Sequence, residues 1–160
     1  MNKNDLFNRL KQLVSIESVS TDPSRKEEMI KAAKHLKKEL ENVGMDVVLL
    51  NENGCHPLIF GKKIIDKTLK TSVIYAHYDV QPEDPVYEWE SPPFDLTQRG
   101  EKLYGRGVAD DKMHLVQAIA AIGDLVKNNK LAQNIIFIFE GEEEEGSVHL
   151  EEILKKSFFD

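Results

Sequence analysis

The apolar run Ile135-Ile136-Phe137-Ile138-Phe139 ends directly in Glu140-Gly141-Glu142-Glu143-Glu144-Glu145-Gly146-Ser147. A run this short, rich in β-branched and aromatic residues, reads as a buried strand. Five carboxylates then fall within six positions. Like charges at the end of a core element repel one another and are costly to desolvate. Either the run lies in water, as glutamate runs commonly do, or something cationic offsets the charge.

Bulk properties narrow the classes. The chain has 160 residues, enough for one domain with a core. Its formal net charge of -7 argues against nucleic acid as a partner, because phosphate binding needs a basic surface. Cys55 is the single cysteine, so there is no disulfide framework and no cysteine zinc cluster. The start is charged and amphipathic, without an apolar signal core, and no apolar run approaches membrane-spanning length. A soluble cytoplasmic protein with no membrane partner is the expectation.

Periodicity organises the rest. Leu6, Phe7, Leu10, Leu13 and Val14 share one helical face. Pro23 suits a first helical turn, Ser24-Arg25-Lys26-Glu27 has the form of a capping box, and Gly44 is placed to stop that second helix. Val47–Leu50, Leu58–Phe60 and Thr71–Ala76 read as strands, with Asn51–Gly54 as a turn. Gln81–Pro93 holds four of the six prolines and reads as a long irregular loop. Leu103-Tyr104 is a short extended piece, Met113–Val126 a largely buried helix, and His149–Lys156 a final helix. Helices alternating with strands predict a layered α/β domain, with function gathered at strand ends.

Two more clusters carry metal-ligand residue types. His77-Tyr78-Asp79 ends the strand Thr71–Ala76. Imidazole is a good zinc ligand, and residues two apart in extended chain point the same way, so Asp79 can orient the His77 ring. The bland alternative is a strand-end histidine capped by a loop aspartate. In Gly105-Arg106-Gly107-Val108-Ala109-Asp110-Asp111-Lys112, the aspartates open the helix Met113–Val126. Capping and the macrodipole explain one of them, Asp111, comfortably. Asp110 can bridge two metals through its two oxygens. Adjacent glutamates in the opening feature can supply a ligand and a separate general base.

In order, His77-Tyr78-Asp79-Val80-Gln81-Pro82, Trp89-Glu90-Ser91-Pro92-Pro93-Phe94, Leu103-Tyr104-Gly105-Arg106-Gly107, Asp110-Asp111-Lys112 and Glu140–Ser147 resemble the M20 family of metallopeptidases. The likeness is nearest to its dipeptidase branch, which includes the carnosine dipeptidases. It implies an α/β fold: a three-layer sandwich with a mixed, mostly parallel central sheet, the N-terminal part of a zinc-exopeptidase-like catalytic domain. It implies that His77 binds one metal, Asp79 orients it, Asp110 bridges two metals across a peptide bond to Asp111 that is cis in many relatives, Glu143 is the general base, and Glu144 binds the second metal. The implied cofactors are two divalent ions, zinc or in some members manganese or cobalt. The implied reaction is hydrolysis of a dipeptide amide bond by activated water. An N-acyl-amino-acid deacylase of the acetylornithine deacetylase/desuccinylase kind is the alternative, and a non-catalytic remnant or binding fragment a third reading. Substrates would be small peptides or acyl-amino acids, and members are often homodimers.

Met113 stands where the family commonly has glycine and would crowd the helix start; Glu145 stands where a small or apolar residue is common. The family also carries a further acidic ligand, a histidine near the C-terminus and an inserted lid and dimerisation domain, none with a counterpart in residues 1–160. The expectation is therefore a single incomplete catalytic domain, inactive by itself. His35 and His149 are read as surface residues, and Glu140 and Glu142 as framing residues.

Overall fold

A computed structural model describes residues 2–51 and 54–155. Four helices, α1 (Lys3–Val14), α2 (Lys26–Asn42), α3 (Met113–Lys127) and α4 (Leu150–Leu154), combine with six strands. The strands are β1 (Asp46–Leu50), β2 (Leu58–Lys63), β3 (Thr71–His77), β4 (Thr97–Arg99), β5 (Lys102–Tyr104) and β6 (Asn134–Glu140). No described helix is long and apolar enough to cross a membrane.

β1, β2, β6 and β3 form one sheet in that order. It is mixed, as expected, but the parallel majority is not found: β1–β2 and β2–β6 are antiparallel, and β3–β6 alone is parallel among the described residues. The short connection between β1 and β2 allows only an antiparallel return, whereas β3 and β6 are joined through α3, a crossover long enough to restore strand direction. β4 and β5 make a separate hairpin of which the sequence pattern signalled only β5.

β6 is buried on both faces, which is why its sequence reads as unbroken apolar residues. Ile135, Phe137 and Phe139 face a core shared with α1, α2 and α3, while Ile136 and Ile138 face a smaller cluster with Phe60, Leu150 and Ile153. Helices therefore flank the sheet on both sides, and the three layers expected are present, the α4 side being sparse. On that side Val73 and Tyr75 of β3 remain exposed.

Local details depart from the sequence reading. The Ser24–Glu27 capping box does not form. Pro23 starts a 3-10 turn one residue earlier, and the Asp22 carboxylate accepts the Ser24 N–H (2.9 Å) and hydroxyl (2.7 Å) instead. Gly44 does end α2, with φ +82 and the Gly44 N–H on the Glu41 carbonyl at 2.9 Å. Met113 packs partly buried against the main core, and α3 starts at it. Lys156 and the Glu52–Asn53 part of the expected turn lie outside the described residues.

Candidate metal centre

Parallel pairing sets His77 directly opposite Glu140, so the histidine and the glutamate run leave the sheet side by side. The Tyr78 N–H continues the ladder onto the Glu140 carbonyl at 2.9 Å. Gly141 then crosses Tyr78 so closely that a Cβ there would lie 2.4 Å from the Tyr78 hydroxyl oxygen. That hydroxyl is fully buried and donates to the Pro57 carbonyl at 2.7 Å.

His77 is buried and its ring nitrogens face different groups. Nδ1 lies 3.2 Å from the Asp79 carbonyl and 3.3 Å from Asp79 Oδ1. Nε2 lies 2.9 Å from Asp110 Oδ1 and 3.9 Å from Glu143 Oε2. With Nδ1–H donating to Asp79, Nε2 is the nitrogen that faces Asp110 and the glutamates, and it offers its lone pair to an ion once its own proton is displaced. Burial alone would push this imidazole down; Asp79, then Asp110 and Asp111, outweigh burial and raise it to about 9.

Asp79 does more than orient a ring. It is fully buried, accepts the Ser20 hydroxyl at 2.8 Å, and accepts the backbone N–H groups of Glu143 (3.3 Å) and Glu144 (3.0 Å). One carboxylate thus ties the β3 end to the one-turn Glu143–Glu145 helix. Glu144 Oε2 in turn accepts from the Gln81 amide at 2.8 Å.

Asp110 arrives on an irregular turn, Val108–Lys112, with extended dihedrals (φ -137, ψ 93) inside otherwise helical neighbours and a cis peptide to Asp111. Gly107 opens this turn at φ +74, in the left-handed region, and a Cβ there would meet Val80 Cγ1 at 2.4 Å. Asp111 does not enter the His77 Nε2 site: its Oδ2 accepts the His77 backbone N–H at 3.3 Å and its Oδ1 pairs with His114. The next residue, Lys112, is fully buried, and burial depresses its ammonium to about 7 against the pull of Glu28, Asp79 and Glu17.

The remaining glutamates have separate partners. Glu140 is buried, accepts from the Tyr75 hydroxyl and from Ser147 Oγ (2.9 Å), and burial raises its pKa above the usual carboxylate range. Glu142 is nearly buried and accepts the backbone N–H groups of His56 (2.9 Å) and His149 (3.2 Å). His149 is therefore no free surface residue: its Nδ1 lies 2.9 Å from Glu142. His35 is half-buried beside α1, and burial lowers its pKa. Glu145 lies 3.7 Å from His56 Nε2.

One donor atom from each of His77, Glu143 and Glu144 lies within 4.8 Å of the others, and Asp110 adjoins this group at His77. One imidazole among three carboxylates is a nitrogen–oxygen set suited to zinc, manganese or cobalt. The carboxylate excess is the charge a divalent cation would balance. The residues present fit such an ion. Ser18 and Ser20, which fasten the His77 loop, had no signal in the sequence, and Gln81, though inside the His77–Pro82 motif, had no role assigned to it.

A model of Peptidase family M20/M25/M40 matches residues 73–159. The chain is 34% identical to the Cys-Gly metallodipeptidase DUG1 of Candida albicans, over 96% of this chain and 35% of that protein. It superposes on the crystal structure of human carnosine dipeptidase 1 with TM-score 0.86 and 32% identity, over 94% of this chain and 34% of that one. On the dipeptidase Dug1p from Saccharomyces cerevisiae the values are 0.87 and 30%, over 96% and 35%. The chain spans about a third of the length of these relatives.

Proposed function

The chain belongs to peptidase family M20, and from that membership we propose that it carries the metal-binding face of a dipeptidase acting through two divalent ions. In this reading His77 would hold one ion and Glu144 the other, Asp110 would be a ligand to both, and Asp79 fixes the His77 ring. The observation that carries the reading is the convergence of donor atoms from His77, Glu143 and Glu144 within 4.8 Å, with Asp110 Oδ1 2.9 Å from His77 Nε2. Bound divalent ions, zinc or otherwise, would polarise the scissile carbonyl and lower the pKa of the attacking water.

Glu143 is the base. Its backbone is held by Asp79 while its carboxylate lies half-exposed, 3.9 Å from His77 Nε2, free to reach a water and a substrate. It takes a proton from the attacking water and returns it to the departing amine. Glu144, whose Oε2 accepts from the Gln81 amide, would offer its carboxylate to an ion.

Small dipeptides are the substrate class favoured over acyl-amino acids, because the similar proteins include Cys-Gly and β-Ala-His dipeptidases. The test compares the metal-loaded whole protein with its Glu143→Gln variant on Cys-Gly, β-Ala-His and N-acetyl-amino acids. The expected outcome is dipeptide turnover that falls roughly 10²–10⁴-fold in the variant while bound metal stays unchanged. Turnover of acyl-amino acids alone, or full activity in the variant, would overturn the proposal.

A further inference from the structure

The proposed bridging ligand is poorly held by its own side chain. The Asp110 side chain is 78% exposed, yet its Oδ1 sits 2.9 Å from a buried imidazole. Something behind it must fix the backbone. Two residues on, the fully buried Lys112 side chain runs inward past Gly107 to the end of α1. There its Nζ donates to the carbonyls of Leu13 (3.1 Å) and Ile16 (2.7 Å). Those carbonyls lie in the last turn of α1 and just after it, where a cation is favoured; each also accepts a backbone N–H, Leu13 from Ile16 and Ile16 from Ser18.

The same stretch of chain grips the other ligand loop. Ser18 Oγ donates to the Tyr78 carbonyl at 2.7 Å, the Val80 N–H donates to the Ser18 carbonyl at 2.9 Å, and Ser20 Oγ reaches Asp79 at 2.8 Å. Val19 and Val80 form a parallel bridge. The segment Leu13–Ser20 therefore holds the His77 loop at one end and, through Lys112, the Asp110 loop at the other. Burying an ammonium against neutral carbonyls is a weak way to gain stability, because its hydration is lost. What two hydrogen bonds supply instead is direction.

We propose that Lys112 is a positioning residue, whose buried ammonium locks the Asp110 turn to the Leu13–Ser20 segment and so sets the separation of His77 and Asp110. The inference rests on reading those two residues as one metal site, and its test begins without metal. The chain is labelled with 15N-histidine, stripped with EDTA and compared as wild type, Lys112→Met and Leu36→Ala by long-range 1H–15N spectra of the His77 ring. Leu36 is a buried core residue of α2, so its truncation is a control for general destabilisation. Lys112→Met is expected to move the His77 ring signals and to lower Co2+ affinity about 10–100-fold, the usual cost of losing a residue that supports a ligand. Leu36→Ala is expected to lower thermal stability and leave both unchanged. A folded Lys112→Met chain with wild-type His77 signals would overturn the assignment. Should that variant not fold, Lys112→Gln, whose shorter, uncharged amide cannot keep both hydrogen bonds, is read against the same criterion. Absence of Co2+ binding in wild type would count against the metal site, whereas an unmoved His77 counts against Lys112 alone.

Discussion

Nε2 of His77 lies 2.9 Å from Oδ1 of Asp110, across 33 residues of chain and from two different elements. Neither side chain makes this approach by local preference. β3 delivers the histidine from a buried strand end, and an irregular turn capping α3 delivers the aspartate.

Asp79 is the joint between the ring and the glutamate turn. Asp79→Asn keeps the volume but replaces one acceptor oxygen with a donor facing other donors, the Ser20 hydroxyl and the Glu143 and Glu144 N–H groups. Metal affinity is expected to fall roughly 10–100-fold, and global stability by about 1–3 kcal/mol through the unmatched buried groups. Co2+ titration and urea denaturation measure the two effects. An affinity within twofold of wild type would remove Asp79 from the site.

Metal loading should depend on pH through His77. Its folded pKa is raised to about 9 in the metal-free chain, so at neutral pH the ring carries a proton that an ion must displace. Affinity is expected to rise about tenfold per pH unit below that value and to flatten above it. Titrations with Co2+ across this range, with proton release followed in weak buffer, test the sign. Affinity that falls as pH rises would contradict it.

The proline-rich loop should be acid-labile. Glu83 pairs with Arg25 and its carboxyl pKa is lowered, first by that hydrogen bond. A depressed folded pKa gives stability that is present above the unfolded value of about 4.3 and lost as pH falls through the folded one. Both side chains are largely covered, at 21% and 16% exposure. Glu83→Gln is expected to cost about 1–2 kcal/mol near pH 7 and less at pH 3. Thermal melts at the two pH values would show the difference; equal costs at both would sink the account.

Gly141 is a packing constraint inside the acidic run. A methyl group there would meet the Tyr78 hydroxyl at 2.4 Å, and that hydroxyl is itself fixed to Pro57. Gly141→Ala is expected to destabilise the fold by about 1–3 kcal/mol and to weaken metal binding, since the Glu143–Glu145 turn follows directly. Tyr78→Phe should recover part of the loss by freeing the ring to shift. No recovery in the double variant would point to another contact.

Residue type and spacing alone were enough to mark β3, β6, α1 and α3 and the three clusters at His77, Asp110 and the Glu140–Glu145 run, while the choice of Glu143 and Glu144 within that run came from the family resemblance. Those elements and clusters follow from local periodicity and from the chemistry of the side chains themselves. The strand order, the antiparallel pairing of β2 with β6 and the cap by Asp22 in place of Ser24 were not legible, because each depends on which segment lies alongside. Nor could the sequence show that Ser20 bonds Asp79, that Gln81 bonds Glu144, that Lys112 reaches the Ile16 carbonyl, or that His149 pairs with Glu142. The sequence by itself determined which groups could bind an ion. The tertiary structure decided which of them meet, because a hydrogen bond is made at about 3 Å in space whatever the distance along the chain.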